Sequence, residues 1–329
     1  MFDPKRPVPP RPPLGGLASA PRPAASPTTA SGGSPVTGGA SASLRPLANL
    51  PQRDNNSREF VFTAADFERV RKLIYQHAGI SLSAAKQDMV YSRLARRLRA
   101  TGKETFGDYL ALLEGGDKAE WERFVNSLTT NLTSFFREPH HFPIFADHLK
   151  KLSGRQPIRV WCSAASTGEE PYSIAMTVAE TFGGFSTPVT IVASDLDTNV
   201  LATADKGVYA MERVERLSPD RLKRFFTVGS GSQSGQVAVR PELRRMIQFQ
   251  RVNLLDPAWP VKGPMDVMFC RNVMIYFDKP TQYKILSRFV PMMQNDGLLF
   301  AGHSESFLHA ADLFRSLGKT VYALAGRSR

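Results

Sequence analysis

Ile158-Arg159-Val160-Trp161-Cys162 is a short apolar run of the kind that forms a buried strand. It breaks into Ser163-Ala164-Ala165-Ser166-Thr167-Gly168 and restarts as Glu169-Glu170-Pro171-Tyr172. Strand, small-residue turn and helix start make the layout of a nucleotide-binding α/β turn. Small side chains let the backbone come close to a ligand. The acidic pair suits ribose hydroxyls or a cationic ligand better than phosphate. Upstream, Asn131-Leu132-Thr133-Ser134-Phe135-Phe136-Arg137-Glu138-Pro139 is a polar, Arg-bearing segment placed to close over such a pocket. Asp195 ends another apolar run, where an acid commonly accepts hydrogen bonds from ribose hydroxyls. It comes 33 residues after Cys162. That is further than the usual NAD spacing of about 20, which disfavours NAD. Plainer roles stay open: Asp195 as a helix cap, and Glu169 as a carboxylate stabilised by a helix dipole. Phe135 and Phe136 read as packing residues.

The elements that must hold these residues change character along the chain. Residues 60–150 read as helical. Thr63-Ala64-Ala65-Asp66 is an N-cap with an acid three residues on. Phe67, Val70 and Ile74 follow at helical spacing, and Gly79 supplies a stop. A second helix is predicted from Ser83 to Ala100, with the stripe Val90, Leu94 and Leu98. Arg93, Arg96, Arg97 and Arg99 spread around its other sides. Shorter helices are predicted at Phe106–Glu114 and Asp117–Leu128, and one starting at Pro139 and running toward Leu152. From Ile158 onward, short apolar runs alternate with helical patterns: Ile158–Cys162, Val189–Ala193, Ile247–Arg251, Val267–Cys270 and Leu298–Ala301. This alternation predicts a mainly parallel sheet covered on both faces. Ser163, Asp195, Asn253 and Arg271 all fall at carboxyl ends of these runs, where ligands bind in such sheets. One segment interrupts the pattern. Phe225–Val228 and Gln236–Val239, joined by the Gly- and Ser-rich loop Gly229–Gly235, read as a hairpin. No helix or Lys follows the loop as a phosphate cradle would need.

Residues 1–56 stand apart, with 12 of the chain's 24 prolines. Such a segment cannot bury enough surface to offset its ordering entropy, and it reads as a disordered tail or spacer. Its Pro clusters also fit a polyproline ligand. The formal net charge is +12. A basic surface favours an acidic partner, whether nucleic acid, anionic membrane or acidic protein face. No run of 18 apolar residues suggests a membrane span, and the N-terminus does not read as a signal peptide. Cys162 and Cys270 read as buried thiols of a reducing compartment. No metal site is expected. His140 and His141 are adjacent, so on a helix they would point to different sides.

The blocks Asn131–Pro139 and Ser163–Tyr172 resemble the CheR-type chemotaxis receptor methyltransferases. So do Ala193-Ser194-Asp195-Leu196-Asp197, Asn253-Leu254-Leu255-Asp256 and Phe269-Cys270-Arg271-Asn272-Val273-Met274-Ile275-Tyr276-Phe277. The resemblance runs from about Phe60 to Leu324. It implies an all-helical domain at 57–152, followed by a Rossmann-like, S-adenosylmethionine-binding methyltransferase domain at 153–329. A small β-subdomain would be inserted at 220–246. It further implies methylation of glutamates on acidic receptor helices, in the cytoplasm at membrane-associated receptor arrays, with S-adenosylhomocysteine as product. Asn131, Thr133, Arg137, Glu169, Asp195, Asn253, Leu254, Arg271 and Asn272 would line the cofactor site, with Asn253 and Leu254 by the adenine. Arg137 and Tyr276 would lie nearest the transferred methyl. Arg93, Arg96, Arg97 and Arg99 would engage the receptor, and the Gly229–Gly235 hairpin would capture a receptor's C-terminal peptide. Two rivals use the same features: an RNA methyltransferase, and a non-catalytic adaptor that binds S-adenosylmethionine as a signal. An RNA enzyme would be expected to show groups for a flipped base, and no RNA-binding module is visible in the chain.

Overall fold

The computed structural model describes residues 58–326 and a two-residue strand, β1, at Phe2–Asp3. The remainder of the tail predicted at 1–56 lies outside the described residues. Helix α1 (Ala64–Ala78) opens with the expected capping box. Asp66 N–H donates to Thr63 Oγ1 at 3.1 Å, and Thr63 N–H donates to the Asp66 carboxylate at 2.9 Å. Gly79 closes it with φ 67°. A short 3-10 turn at Ala84–Lys86 leads into α2 (Gln87–Thr101). Thr105 and Asp117 cap α3 (Phe106–Glu114) and α4 (Lys118–Leu128). Their apolar stripes meet in one core built on Phe62, Val70, Ile74, Leu94, Leu98, Phe106 and Phe124. Helix α5 (His141–Lys151) starts two residues beyond Pro139, with His140 as its N-cap.

The chain then alternates as expected. Strand β2 (Ile158–Cys162) leads through the small-residue turn into α6 (Glu169–Thr181), then β3 (Val189–Asp195) and α7 (Thr198–Lys206). A small antiparallel sheet comes next: β4 (Val208–Ala210), α8 (Pro219–Phe225), β5 (Phe226–Gly229) and β6 (Gln236–Val239). After α9 (Pro241–Arg244) the main sheet resumes with β7 (Ile247–Arg251), β8 (Met265–Cys270), α10 (Lys279–Phe289) and β9 (Met293–Ala301). It ends in the hairpin β10 (Phe314–Ser316) and β11 (Val321–Leu324). The seven-stranded order is β10-β11-β9-β8-β2-β3-β7. The β9 to β7 portion is parallel, and β11 is antiparallel to β9.

Alternation along the strands divides the core. Val160, Cys162, Phe269 and Phe300 pack on one face with α6 and Phe145, and Trp161, Met268 and Leu299 pack on the other with Phe289. Strand order reverses beside β2: the chain moves out through β3 to β7, then returns to β8 on the other flank. In open sheets of this kind a ligand crevice lies at the carboxyl ends of the strands at that reversal. Among the described residues, no helix is long and apolar enough to cross a membrane.

The small sheet has the order β1-β5-β6-β4. Its loop is a formed turn, with a single 3-10 turn at Gly231–Gln233. Gly229 is required by close approach, since a Cβ there would lie 2.1 Å from the Gln233 carbonyl oxygen. Gly168 is also required by packing, which differs from the ligand-approach role expected of it. At φ 100°, its missing Cβ would meet Tyr209 Oη at 2.6 Å and the Ala204 side chain.

Candidate active site

A cavity of about 430 Å³ opens at the strand reversal, well within the size of small-molecule sites. Asn131, Thr133, Arg137, Asp195, Asn253, Leu254, Arg271, Asn272 and Tyr276 all line it. Segments remote in sequence therefore converge as the strand-end pattern requires. Of the residues singled out for the pocket, Glu169 stands outside this wall. It is fully buried, paired with Arg213 and hydrogen-bonded to Thr167 Oγ1 at 2.6 Å. Its neighbour Glu170 lines the cavity instead. The two acids share the first turn of α6, so they leave it in different directions.

Asp195 is the best-placed acceptor. Its Oδ2 takes a hydrogen bond from Ser166 N–H at 2.8 Å, and its Oδ1 takes one from Asp197 N–H at 3.0 Å. Each oxygen keeps acceptor capacity for a ligand hydroxyl. Burial pushes the carboxyl up to about 6, against the pull of these backbone donors. Asp197 is turned to structural work. It caps α7 through Asn199 N–H and accepts from Asn131 Nδ2 at 3.0 Å. This last bond ties the Asn131 segment to the end of β3.

Asn253 joins the two halves of the pocket. Its Nδ2 donates to the His77 carbonyl at the end of α1 at 3.0 Å, and its Oδ1 accepts from Leu255 N–H. Both ends of the amide are used, so this side chain shapes the wall more than it offers free donors. Beyond Asn253, α1 and the turn before α2 bring Ala78, Ser81, Ser83 and Lys86 to the cavity, and Met89 follows from α2.

Arg271 is buried and forms the hub beneath the floor. It donates to Glu170 Oε2 at 2.7 Å and to the Arg137 carbonyl at 2.6 Å, and it lies 3.2 Å from Glu138 Oε2. Desolvation opposes its charge, but Glu170 and Glu138 outweigh that and raise its pKa. Burial likewise opposes the Glu138 carboxylate. Arg271, with donors from His303 and Asn272, still holds it down to about 2. Burial dominates for Glu170 and raises its carboxyl despite Arg271.

The loop that carries Tyr276 is pinned by Glu305, a residue that sequence reasoning passed over. Glu305 is buried and accepts from the backbone N–H groups of Asn272 at 2.9 Å, Met274 at 2.8 Å and Gly302 at 2.5 Å. Asn272 and Glu138 both hold left-handed backbone, at φ 59° and 53°. Strained residues that cluster at one site are the usual accompaniment of function. Tyr276 is half-buried. Its hydroxyl donates to the Thr130 carbonyl at 3.3 Å, and burial raises its pKa. Arg137 rests on the Leu132 carbonyl at 2.8 Å. Leu132 and Ile275, both largely exposed, line the same cavity.

Other expected residues take structural places. Phe135 packs edge-on against Tyr209 and Phe226. Phe136 lies under the Arg221 guanidinium, 3.8 Å from the ring centroid. Cys162 and Cys270 are buried free thiols. His140 and His141 are closer than helical projection implies. Their ligand atoms and those of Glu138 lie within 4.8 Å of one another. The rings lean together at the helix start, with centroids 4.3 Å apart. Glu138 is already committed to Arg271 and His303, so this cluster needs no cation to balance it.

Comparison with known proteins agrees with this geometry. Residues 131–323 match the profile described as CheR methyltransferase, SAM binding domain, and residues 65–129 match CheR methyltransferase, all-alpha domain. The chain belongs to the CheR methyltransferase family. It is 55% identical over 262 residues to a chemotaxis protein methyltransferase of Escherichia coli, covering 79% of this chain and 91% of that one. It is 51% identical over 270 residues to chemotaxis protein methyltransferase 2 of Pseudomonas aeruginosa, covering 82% and 96%. As a CheR family member it uses S-adenosylmethionine. The cavity fits that cofactor: an acidic acceptor at the end of β3, apolar wall residues Leu196, Val252 and Leu254, and room for one nucleoside-sized ligand.

Proposed function

We propose that this chain methylates glutamate side chains on the cytoplasmic helices of a chemoreceptor, giving glutamate methyl esters. The observation that carries this reading is that Arg137 and Tyr276 line the same cavity as Asp195, beside an exposed basic helix. The relatives' names supply chemotaxis as the setting. Asp195 would hold the ribose hydroxyls, and the backbone at Asn253 and Leu254 would flank the adenine. Glu170 takes the wall position expected of Glu169.

S-adenosylmethionine, when bound, supplies a methyl group already activated on a sulfonium. The protein therefore has little acid–base work. A glutamate is ionised at neutral pH, with an unperturbed pKa of about 4.3. What remains is to align the carboxylate and exclude water, and such positioning supplies about 7–11 kcal/mol in favourable cases. Tyr276 would turn its single hydroxyl proton from the Thr130 carbonyl to the incoming carboxylate and so orient it, and Arg137 would draw it to the mouth. Arg137→Ala and Tyr276→Phe are expected to lower kcat more than they raise the Kd for S-adenosylmethionine. Single-turnover kinetics beside calorimetry checks this, and wild-type turnover in both variants would remove the positioning role.

The receptor-facing surface is narrower than four arginines. Arg93 donates to the carbonyls of Leu128 at 3.0 Å and Thr129 at 2.6 Å, which secures the end of α4. Arg97 makes a two-pronged pair with the buried Glu120. Arg96 and Arg99 are both exposed on α2. Reversing these two to Glu is expected to raise KM for receptor and flatten its salt dependence, leaving cofactor affinity unchanged. Reversing Arg97 instead is expected to unfold α2 against α4.

The test of the function itself is transfer of labelled methyl to a receptor cytoplasmic fragment. Base-labile label, lost when the receptor glutamates are changed to Gln, is the expected result. Label on RNA, or none on either substrate, would overturn the reading. We also propose that the small sheet accepts a receptor's C-terminal peptide as an added strand. Tethering of this kind raises effective substrate concentration to the mM range without altering the cavity.

A further inference from the structure

The edge of the small sheet is already in use. Phe2 pairs with Gly229 and Asp3 with Val228, antiparallel, on the side of β5 that faces away from β6. We propose that the outer edge of β5 is a strand-accepting site which this chain fills in cis with its own first residues, so that any other extended peptide must displace them.

Three observations support the assignment. First, β5 is bonded to β6 along one side only, so its other side presents unpaired backbone groups unless a strand is added. Second, β1 is short for a reason visible in the sequence. Pro4 follows Asp3 and has no N–H to donate, so the ladder ends there. Third, the β5 side of the hairpin is held in shape. Gly229 is packed against Gln233, and the loop carries its own 3-10 turn, so the edge is preformed.

A two-residue strand held by backbone bonds is weak. Each such bond contributes on the order of 1 kcal/mol net, or about fivefold in an equilibrium. The segment therefore shields the edge from stray pairing, yet a longer peptide with more ladder bonds can replace it. Fifty-six residues separate Asp3 from Phe60. At roughly 3.3 Å per residue this is ample reach for the segment to leave and return. The regulatory consequence, competition with a receptor tail, rests on the docking reading above; occupancy of the edge does not.

The experiment is amide hydrogen exchange on β5 in the full chain and in a variant lacking residues 2–8. The β5 amides that face away from β6 should exchange about fivefold faster or more in the variant. The double change Phe2→Pro with Asp3→Pro, which keeps chain length, should behave like the deletion. Equal exchange in all three proteins would overturn the proposal. Protection that rises with protein concentration would also overturn it, because the strand would then come from a second copy. Failure of a receptor tail to bind the shortened chain would sink the docking reading and leave the exchange result standing.

Discussion

Arg271→Leu is expected to cost about 3–5 kcal/mol of folding stability, the scale of breaking a buried ion pair from one side. Glu170 and Glu138 both face this guanidinium, at 2.7 and 3.2 Å; Glu170 is buried, and the Glu138 oxygen turned to Arg271 is shut from solvent. The Arg137 carbonyl would lose its donor as well. Denaturant unfolding should show the midpoint falling with an unchanged slope. Adding Glu170→Gln should recover part of the loss, since one buried charge is then removed. A cost below about 1 kcal/mol, the range of an exposed pair, would show that water reaches this hub.

Asp195→Ala is expected to weaken S-adenosylmethionine binding by about 1–3 kcal/mol, the scale of a lost hydrogen bond to a charged group. Its pH dependence gives a second signature. Burial raises the carboxyl to about 6 in the free protein. Hydroxyl donors favour the carboxylate, so binding draws the pKa down. Affinity should be flat above pH 7 and fall as pH drops through 6, tending to tenfold per unit. Asp195→Asn should abolish that slope. Calorimetry at pH 5 and pH 7.5 decides it; a slope that survives in Asp195→Asn would assign the titration to another group.

The main sheet was legible because its inner strands β2 and β8 are buried on both faces and read as apolar runs between helices, while edge strand β7, with only Ile247 buried, was placed by the alternation with helices. The five runs from Ile158 to Ala301 are the five parallel strands, several longer by a few residues. Helices α1 to α4 were legible from their caps and stripes. The terminal hairpin, β10 with β11, was missed. Its strands hold three and four residues and turn through Leu317-Gly318-Lys319-Thr320, too short for a period to register. Strand β4 was missed for the same reason, so the small sheet has a third strand that begins before the predicted insertion.

At the site, residue types were legible and directions were not. The Glu169-Glu170 pair announces an acid at the turn, yet which of the two faces the cavity depends on how α6 rolls onto the sheet. Arg213 and Tyr209, from the small sheet region, settle that by occupying the Glu169 side. Arg93 and Arg97 looked like a free basic face because their acceptors, the end of α4 and Glu120, lie 23 or more residues away. Glu305 gave no local signal, since its three partners are backbone groups.

The wall supplied by Ala78–Ser83, latched by Asn253 to the end of α1, bears on how this protein can be recombined. A cut at Thr130 would look natural on a sequence map. Yet the sheet half would leave with an unroofed nucleoside site, and the helical half with no ligand at all. Exchanging helical halves between relatives to retarget substrate choice would therefore also import a foreign piece of the cofactor pocket. Such hybrids should inherit an altered cofactor wall together with their new helical surface, because the Asn253–His77 contact joins the two halves.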